Sequence, residues 1–472
     1  MKGLFLSTMV LLSLIGQSQK SMQMPKPTKQ QLAWQEMEFN LFIHFGPNTF
    51  TDKEWGEGTE PEDVFNPTEL DCNQWCRIAK AAGAKGIIIT AKHHDGFCLW
   101  PSKFSKHTVR ESKWKDGKGD VLKDLSRACR ENGLKFGVYI SPWDRNHPDY
   151  GTNKYNDVFV NMMKEILQNY GPIWEMWWDG ANGEGPNGKK QNYDWKKFER
   201  TVQRYSPQTV IFSDIGPDIR WTGNENGIAG DPNWNFLDTA GFKRGLGAPP
   251  TDTLNMGNYA GKFWMPAECD VSIRPGWFYH VAEDNKVKTA KELFHLYLNS
   301  VGRGSNLLLN VPPDKRGLIH EKDSAALIGF KQLRDDNFAD NILKEADTYY
   351  QFSQKDFSEK PMQIRGFDPP SQTFGINMQN FIVQLKQLEK INCIVLREAI
   401  HLGQSIRKFS VVLYKNDKVI GQISGTSVGR KRILTFPAEE ITSFKVFLED
   451  AQGNDNISGI AAYLIDENLV EK

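Results

Sequence analysis

Between Phe39 and Val311 the chain repeatedly alternates a short apolar run with a longer stretch of helical periodicity. Runs buried on both faces belong to parallel strands, and parallel neighbours need a crossover, usually a helix. The alternation therefore predicts βα units around a parallel sheet. The runs are Leu41 to Gly46, Lys85 to Thr90, Phe136 to Ser141, Pro172 to Asp179, Thr209 to Asp214, Phe263 to Glu268 and Asn306 to Val311. A further strand is expected near Trp277 to His280, which completes a (β/α)8-like TIM barrel. Gly227 to Gly261 is rich in Gly, Asn and Pro and reads as a long loop.

In such a barrel the functional groups stand at the C-terminal ends of the strands. The stretch P-I-W-E-M-W-W-D-G-A-N-G, from Pro172 to Gly183, ends an aromatic-rich run on the single carboxylate Asp179. An Asp before a Gly commonly just opens a turn. Here the other runs end on polar groups as well: His44 after the first, His93 and His94 after the second. Trp177 precedes Asp179, Glu225 follows the fifth run through the loop Gly216 to Glu225, and Glu268 closes the sixth. Glu175 shares the strand face of Trp177 and Asp179 and is expected to lie deeper, supporting the site.

Domain organisation is expected as a leader at 1–21, a catalytic barrel at 22–340 and a C-terminal β-sandwich at 341–472. The leader has a basic start at Lys2, an apolar centre from Leu4 to Ile15 and a short polar stretch, which predicts export to the periplasm or the medium. No later stretch approaches the ~20 apolar residues of a membrane span. The sandwich is expected from short alternating runs such as Phe381 to Leu385, Ile394 to Leu396 and Phe409 to Tyr414, with Lys415 to Asp417 as a turn. The six cysteines are spread thinly over 472 residues, unlike a disulfide framework, and Cys72 and Cys76 read as packing residues of one helix. A net charge of +0, with no basic block, leaves no footprint for nucleic acid or an anionic membrane and points to a neutral ligand.

Two chemistries fit the strand-end residues. Histidines and an Asp can hold a divalent metal for hydrolysis. Alternatively, two carboxylates can run glycoside hydrolysis, one attacking the anomeric carbon and the other protonating the leaving oxygen. His44 has no second ligand beside it and aromatics dominate the rim, so the two-carboxylate reading, with no metal or other cofactor, is preferred. It requires hydrogen-bond donors or positive charge near Asp179 and a less polar setting for the acid, for which Trp221 is the expected source.

Phe42-Ile43-His44-Phe45-Gly46, Lys92-His93-His94-Asp95-Gly96-Phe97 and Trp177-Trp178-Asp179-Gly180 together resemble the α-L-fucosidases of glycoside hydrolase family 29. The resemblance covers roughly Lys26 to Pro313. It implies a retaining double displacement with Asp179 as nucleophile, acting on a fucosylated oligosaccharide or glycoconjugate. It also implies that His44, His93 and His94 hold the fucose hydroxyls, that Glu54 and Trp55 reach the sugar from a loop, and that Trp177 lines it. The loop Gly216 to Glu225 resembles that of the branch preferring α-1,3 and α-1,4 linkages, which makes Glu225 the acid/base. Glu268 is the runner-up, with substrate binding or orientation of a neighbour as its other role. A broader-specificity fucosidase and another exo-glycosidase remain alternatives. An inactive carbohydrate-binding barrel is disfavoured because both carboxylates are present.

Overall fold

Six of the seven apolar runs form strands of a closed parallel barrel in the computed structural model, which describes residues 24–351, 380–451 and 457–470. The leader read at Met1 to Ser21 lies outside the described residues. The strands are β1 (Phe39–Ile43), β2 (Gly86–Lys92), β3 (Lys135–Ile140), β4 (Glu175–Trp177), β5 (Val210–Ser213) and β6 (Ile219–Trp221). After a two-stranded pairing of β7 (Phe236–Leu237) with β8 (Phe263–Trp264) come β9 (Ala267–Ser272) and β10 (Asn306–Asn310). The barrel runs β1-β2-β3-β4-β5-β6-β9-β10 and closes β10 on β1, with Phe39 beside Leu307.

Helices cover the outside, and several are started by a side chain that satisfies a free backbone N–H. Asp71 caps Cys72–Ala81, Asp120 caps Val121–Asn132, and Thr289 with Glu292 forms a capping box on Ala290–Asn299. Gly133, at φ 70°, ends the second of these in the left-handed conformation that favours glycine. Inside the barrel, Phe42, Ile88, Tyr139, Trp177, Phe212, Ile219 and Leu308 pack as one cluster. Trp34, from the helix Lys29–Gln35, belongs to the same cluster.

Four expectations are corrected. The sixth strand is not Phe263 to Glu268: Pro266, which lacks an N–H, separates Phe263–Trp264, paired outside the barrel, from the true strand Ala267–Ser272. Glu268 is therefore near the start of a strand, not at its end. The segment read as the exit loop of strand five contains β6, so Glu225 follows the sixth strand. Trp277 to His280 forms no strand, and the loop expected over Gly227 to Gly261 holds β7 and the helix Thr251–Met256.

Beyond the helix Glu321–Asn337 the chain is antiparallel: β11 (Asp347–Gln351), β12 (Asn380–Glu398), β13 (Ile406–Lys415), β14 (Lys418–Gly425), β15 (Arg432–Ala451) and β16 (Ile457–Tyr463). The runs at Phe381 and Ile394 are one long strand, broken by register shifts between Gln384 and Glu389 and between Ile391 and Cys393. The first half of β12 pairs with β11 and the second with β16, so the two long strands β12 and β15 serve both layers of a sandwich. Side chains from both halves meet in one core that includes Phe381, Val383, Ile394, Leu396, Phe444 and Val446. The tight β13–β14 turn places Asn416 and Asp417 at positive φ, residues that tolerate it. The sandwich docks on the barrel through Glu38, where Arg430 and Lys431 outweigh burial and hold the carboxyl well below its usual range.

Candidate active site

At the C-terminal mouth of the barrel lies a cavity of about 200 Å³, and among the described residues none beyond Trp277 lines it. Its walls carry His44, His93, His94, Asp179, Glu225, Asp270, Glu54 and the rings of Phe42, Trp55, Tyr139, Trp177 and Trp277. No lysine or arginine is among its lining residues.

The histidines follow directly from strand ends, and their hydrogen bonds fix their tautomers. Asn310 donates through Nδ2 to the Trp277 carbonyl (2.8 Å) and to Ser272 Oγ (2.9 Å), so its Oδ1 is the acceptor. That oxygen lies 2.9 Å from His44 Nδ1, which must carry the proton, leaving Nε2 as an acceptor. Ser141 Oγ donates to the Trp143 carbonyl (2.9 Å) and so accepts from His94 Nδ1 at 2.8 Å. His94 Nε2 is again the acceptor, 3.9 Å from Asp179 Oδ2. Both atoms are acceptors, so each can take a hydrogen bond from a ligand hydroxyl. Burial keeps all three rings neutral: it pushes His44 down to about 3, His94 down to about 4 and His93 well below the ordinary value.

Asp179 stands two residues past β4 and keeps partial exposure, with 26% of its side chain accessible. Tyr139 O–H donates to its Oδ2 at 3.1 Å and the Ala181 N–H to its Oδ1 at 2.7 Å. These are the donors that an ionised nucleophile needs. Gly180 is required by close approach: a Cβ there would fall 2.2 Å from both carboxylate oxygens of Asp214. Burial, followed by the charge of Asp179, pushes Asp214 up to about 6.

Trp177 stacks on Phe212 (4.1 Å between centroids, 11° between planes), and its Nε1 donates to Glu268 Oε2 at 3.1 Å. Glu268 is wholly buried and does not line the cavity, and Glu175 beside it is buried too. Trp34 Nε1 donates to Glu175 Oε2 at 2.7 Å. As carboxylates, each would leave Oε1 without a partner. A hydrogen bond between the two carboxyls, donated by a protonated one, removes that deficit. Burial pushes Glu175 up to about 8; burial, then the charge of Glu175, drives Glu268 well above the carboxylate range.

Glu225 is exposed at the rim, where Trp277 Nε1 donates to its Oε2 at 3.1 Å. The expected partner, Trp221, instead donates to Asp270 Oδ1 at 2.8 Å. Glu54 borders the cavity but is engaged by the backbone N–H groups of Trp277 (2.8 Å) and Phe278 (3.1 Å) and by His280 (2.6 Å), so it holds the segment carrying Trp277. Trp55 is 56% exposed and meets His94 and Trp143 edge-on, at 5.5 and 5.6 Å. Tyr139, Asp270, Trp277, Asn310 and Ser141 were not among the sequence candidates. Tyr139, Asp270 and Asn310 lie within strands, where the signal available was the period-2 alternation.

A cavity walled by rings, neutral histidines and carboxylates, without a cation, suits an uncharged sugar, and carboxylates at its edge suit cleavage of a glycosidic bond. The fold and the site define a glycoside hydrolase. The family model for alpha-L-fucosidases matches residues 13–332. The chain is 40% identical to alpha-L-fucosidase 1 of Arabidopsis thaliana over 454 residues, covering 93% of this chain and 88% of the relative. It also resembles a glycoside hydrolase 29 family member from an unknown rumen bacterium, at 38% identity and TM-score 0.84, covering 94% of this chain and 78% of the other. A Ruminococcus gnavus family 29 fucosidase solved with fucose shares 28% identity at TM-score 0.84, covering 95% and 96% of the two chains. The chain belongs to the alpha-L-fucosidase family.

Proposed function

We propose that this fucosidase is an exported, exo-acting, retaining enzyme that removes α-1,3- and α-1,4-linked fucose from branched glycans. The observation that carries the reading is the setting of Asp179: a half-open carboxylate held by Tyr139 and Ala181 at the edge of a cavity sized for one sugar ring. Asp179 attacks the anomeric carbon while Glu225, at the rim where a leaving glycan departs, protonates the glycosidic oxygen. Glu225 then removes a proton from the water that hydrolyses the fucosyl-enzyme. His44, His93 and His94, neutral, meet the hydroxyls, and Trp177 backs the ring.

Glu225 is favoured over Glu268 because Glu268 is sealed beneath Trp177 and bonded to Glu175 and the indole. Its part is the alternative role of orienting a neighbour. The α-1,3/1,4 preference rests on the resemblance of the loop Gly216 to Glu225, and export on the apolar leader. The test is release of free fucose from a branched Lewis-type trisaccharide beside a linear α-1,2-fucosylated one. Release from the branched sugar alone is expected; equal release from both would remove the linkage preference. A β-fucose product as the first anomer seen by NMR would contradict retention.

A further inference from the structure

Asp270 has no assigned part in this chemistry. It lies on β9 one pleat above Glu268, on the same face, and lines the catalytic cavity while remaining 4% exposed. Glu225 lines the same cavity, within Coulombic reach. Each carboxyl accepts one indole N–H, Asp270 from Trp221 at 2.8 Å and Glu225 from Trp277 at 3.1 Å.

Among the described residues, no lysine or arginine lines the cavity that this pair borders. On the neighbouring β6, Arg220 is directed away from the cavity, to the Leu254 carbonyl (2.8 Å) and Asn233 (2.9 Å). On the other neighbour, β10, Leu308 stands beside Asp270 and Asn310 beside Ser272. In the segment after β9, Arg274 is bound to Asp323 and Asp284, and His280 to Asp52 and Glu54. The other titratable groups of the cavity are the neutral histidines, Tyr139, the carboxylate Asp179 and Glu54. From below, Glu268 adds a further carboxyl.

We propose that Asp270 is a positioning residue for the catalytic proton: with Glu225 it forms a pair of carboxyls on one cavity wall without a lysine or arginine between them, and the like charge of Asp270 holds the proton at the pair. This rests on Glu225 being the acid/base. The proton leaves Glu225 for the glycosidic oxygen as the bond from that oxygen to the anomeric carbon breaks and the Asp179 oxygen bonds to that carbon. It returns from water when the resulting hydroxide displaces Asp179. Asp270 contributes no atom to either step; its nearness makes loss of the last proton costly. Burial and then the charge of Glu225 drive the Asp270 carboxyl well above the usual range, in keeping with such a pair.

The test is the pH profile of kcat/KM on a fucosylated trisaccharide for wild type, Asp270→Asn and Trp221→Phe. Asp270→Asn keeps the acceptor for Trp221 and removes the like charge, so the basic limb is expected to fall by about one pH unit or more. Trp221→Phe withdraws the N–H that favours ionised Asp270, so its basic limb is expected to move up. A basic limb unmoved in both variants, or moved the same way in both, would overturn the proposal. If Asp270→Asn does not fold, the direction of the Trp221→Phe shift decides. Failure of the underlying assignment looks different: Glu225→Gln would then keep wild-type activity on the same trisaccharide.

Discussion

Glu175 and Glu268 occupy the interior of the barrel beneath Trp177, whereas Asp179, Glu225 and Asp270 border the cavity on the other side of that ring. Both groups consist of carboxyls on or just past β4, β6 and β9, but their surroundings differ. The deep pair has two indole N–H donors and a carboxyl-to-carboxyl hydrogen bond, and it does not line the cavity. At the mouth, Asp179 has an O–H and an N–H donor and an open side. On the proposed reading, donors and exposure fit Asp179 for attack, while the same group sealed in the barrel braces the aromatic floor.

The comparison breaks most visibly at Asp179. Asp179→Ala is expected to lower the rate of fucose release by ~10⁴-fold or more while fucose still binds, as calorimetry would register. A variant that keeps most of its rate would remove the distinction between mouth and interior. Next in size is the contrast between Glu225→Gln and Glu268→Gln. The first is expected to lose roughly 10²–10⁴-fold in kcat on an unactivated glycan. The second should keep kcat within about tenfold, because its amide oxygen still accepts the Trp177 N–H and no reacting group is removed. Reversed magnitudes would return the acid/base role to Glu268.

The smallest effect concerns stability. Glu175 is raised from 4.5 to about 8 in the folded state, so the folded chain holds its proton more tightly than the unfolded one. Its contribution is complete below pH 4.5 and is lost as pH rises through about 8. Glu175→Gln cannot ionise, so thermal melts of wild type and variant should diverge by about 5 °C between pH 5 and 8, with wild type falling faster. Parallel curves would mean that burial does not hold a proton on Glu175.

Legibility in the sequence followed polarity boundaries. His44, His93, His94 and Asp179 each stand where an apolar run stops, so their placement at the mouth could be read directly. Strand β9 hid itself because its inward residues are the polar ones. Ala267-Glu268-Cys269-Asp270-Val271-Ser272 turns Glu, Asp and Ser into the barrel and Cys and Val toward the helices, the reverse of a strand over an apolar core. The more apolar Phe263-Trp264-Met265 beside it drew the assignment instead. Strand β6 has three residues and follows β5 after a short connection with no helix, so no crossover marked it. Tyr139 and Trp277 were legible as aromatics, but their bonds to Asp179 and Glu225 depend on contacts that only the closed barrel creates.

The central claim is that Asp179 forms the bond to fucose, and trapping that bond tests it most directly. Incubation with a 2-deoxy-2-fluoro-fucosyl fluoride, followed by proteolysis and mass mapping, should find the fluorosugar on the peptide bearing Asp179, in one copy per chain. A label on Glu225 or Glu268, or inactivation of Asp179→Ala at the wild-type rate, would contradict the account.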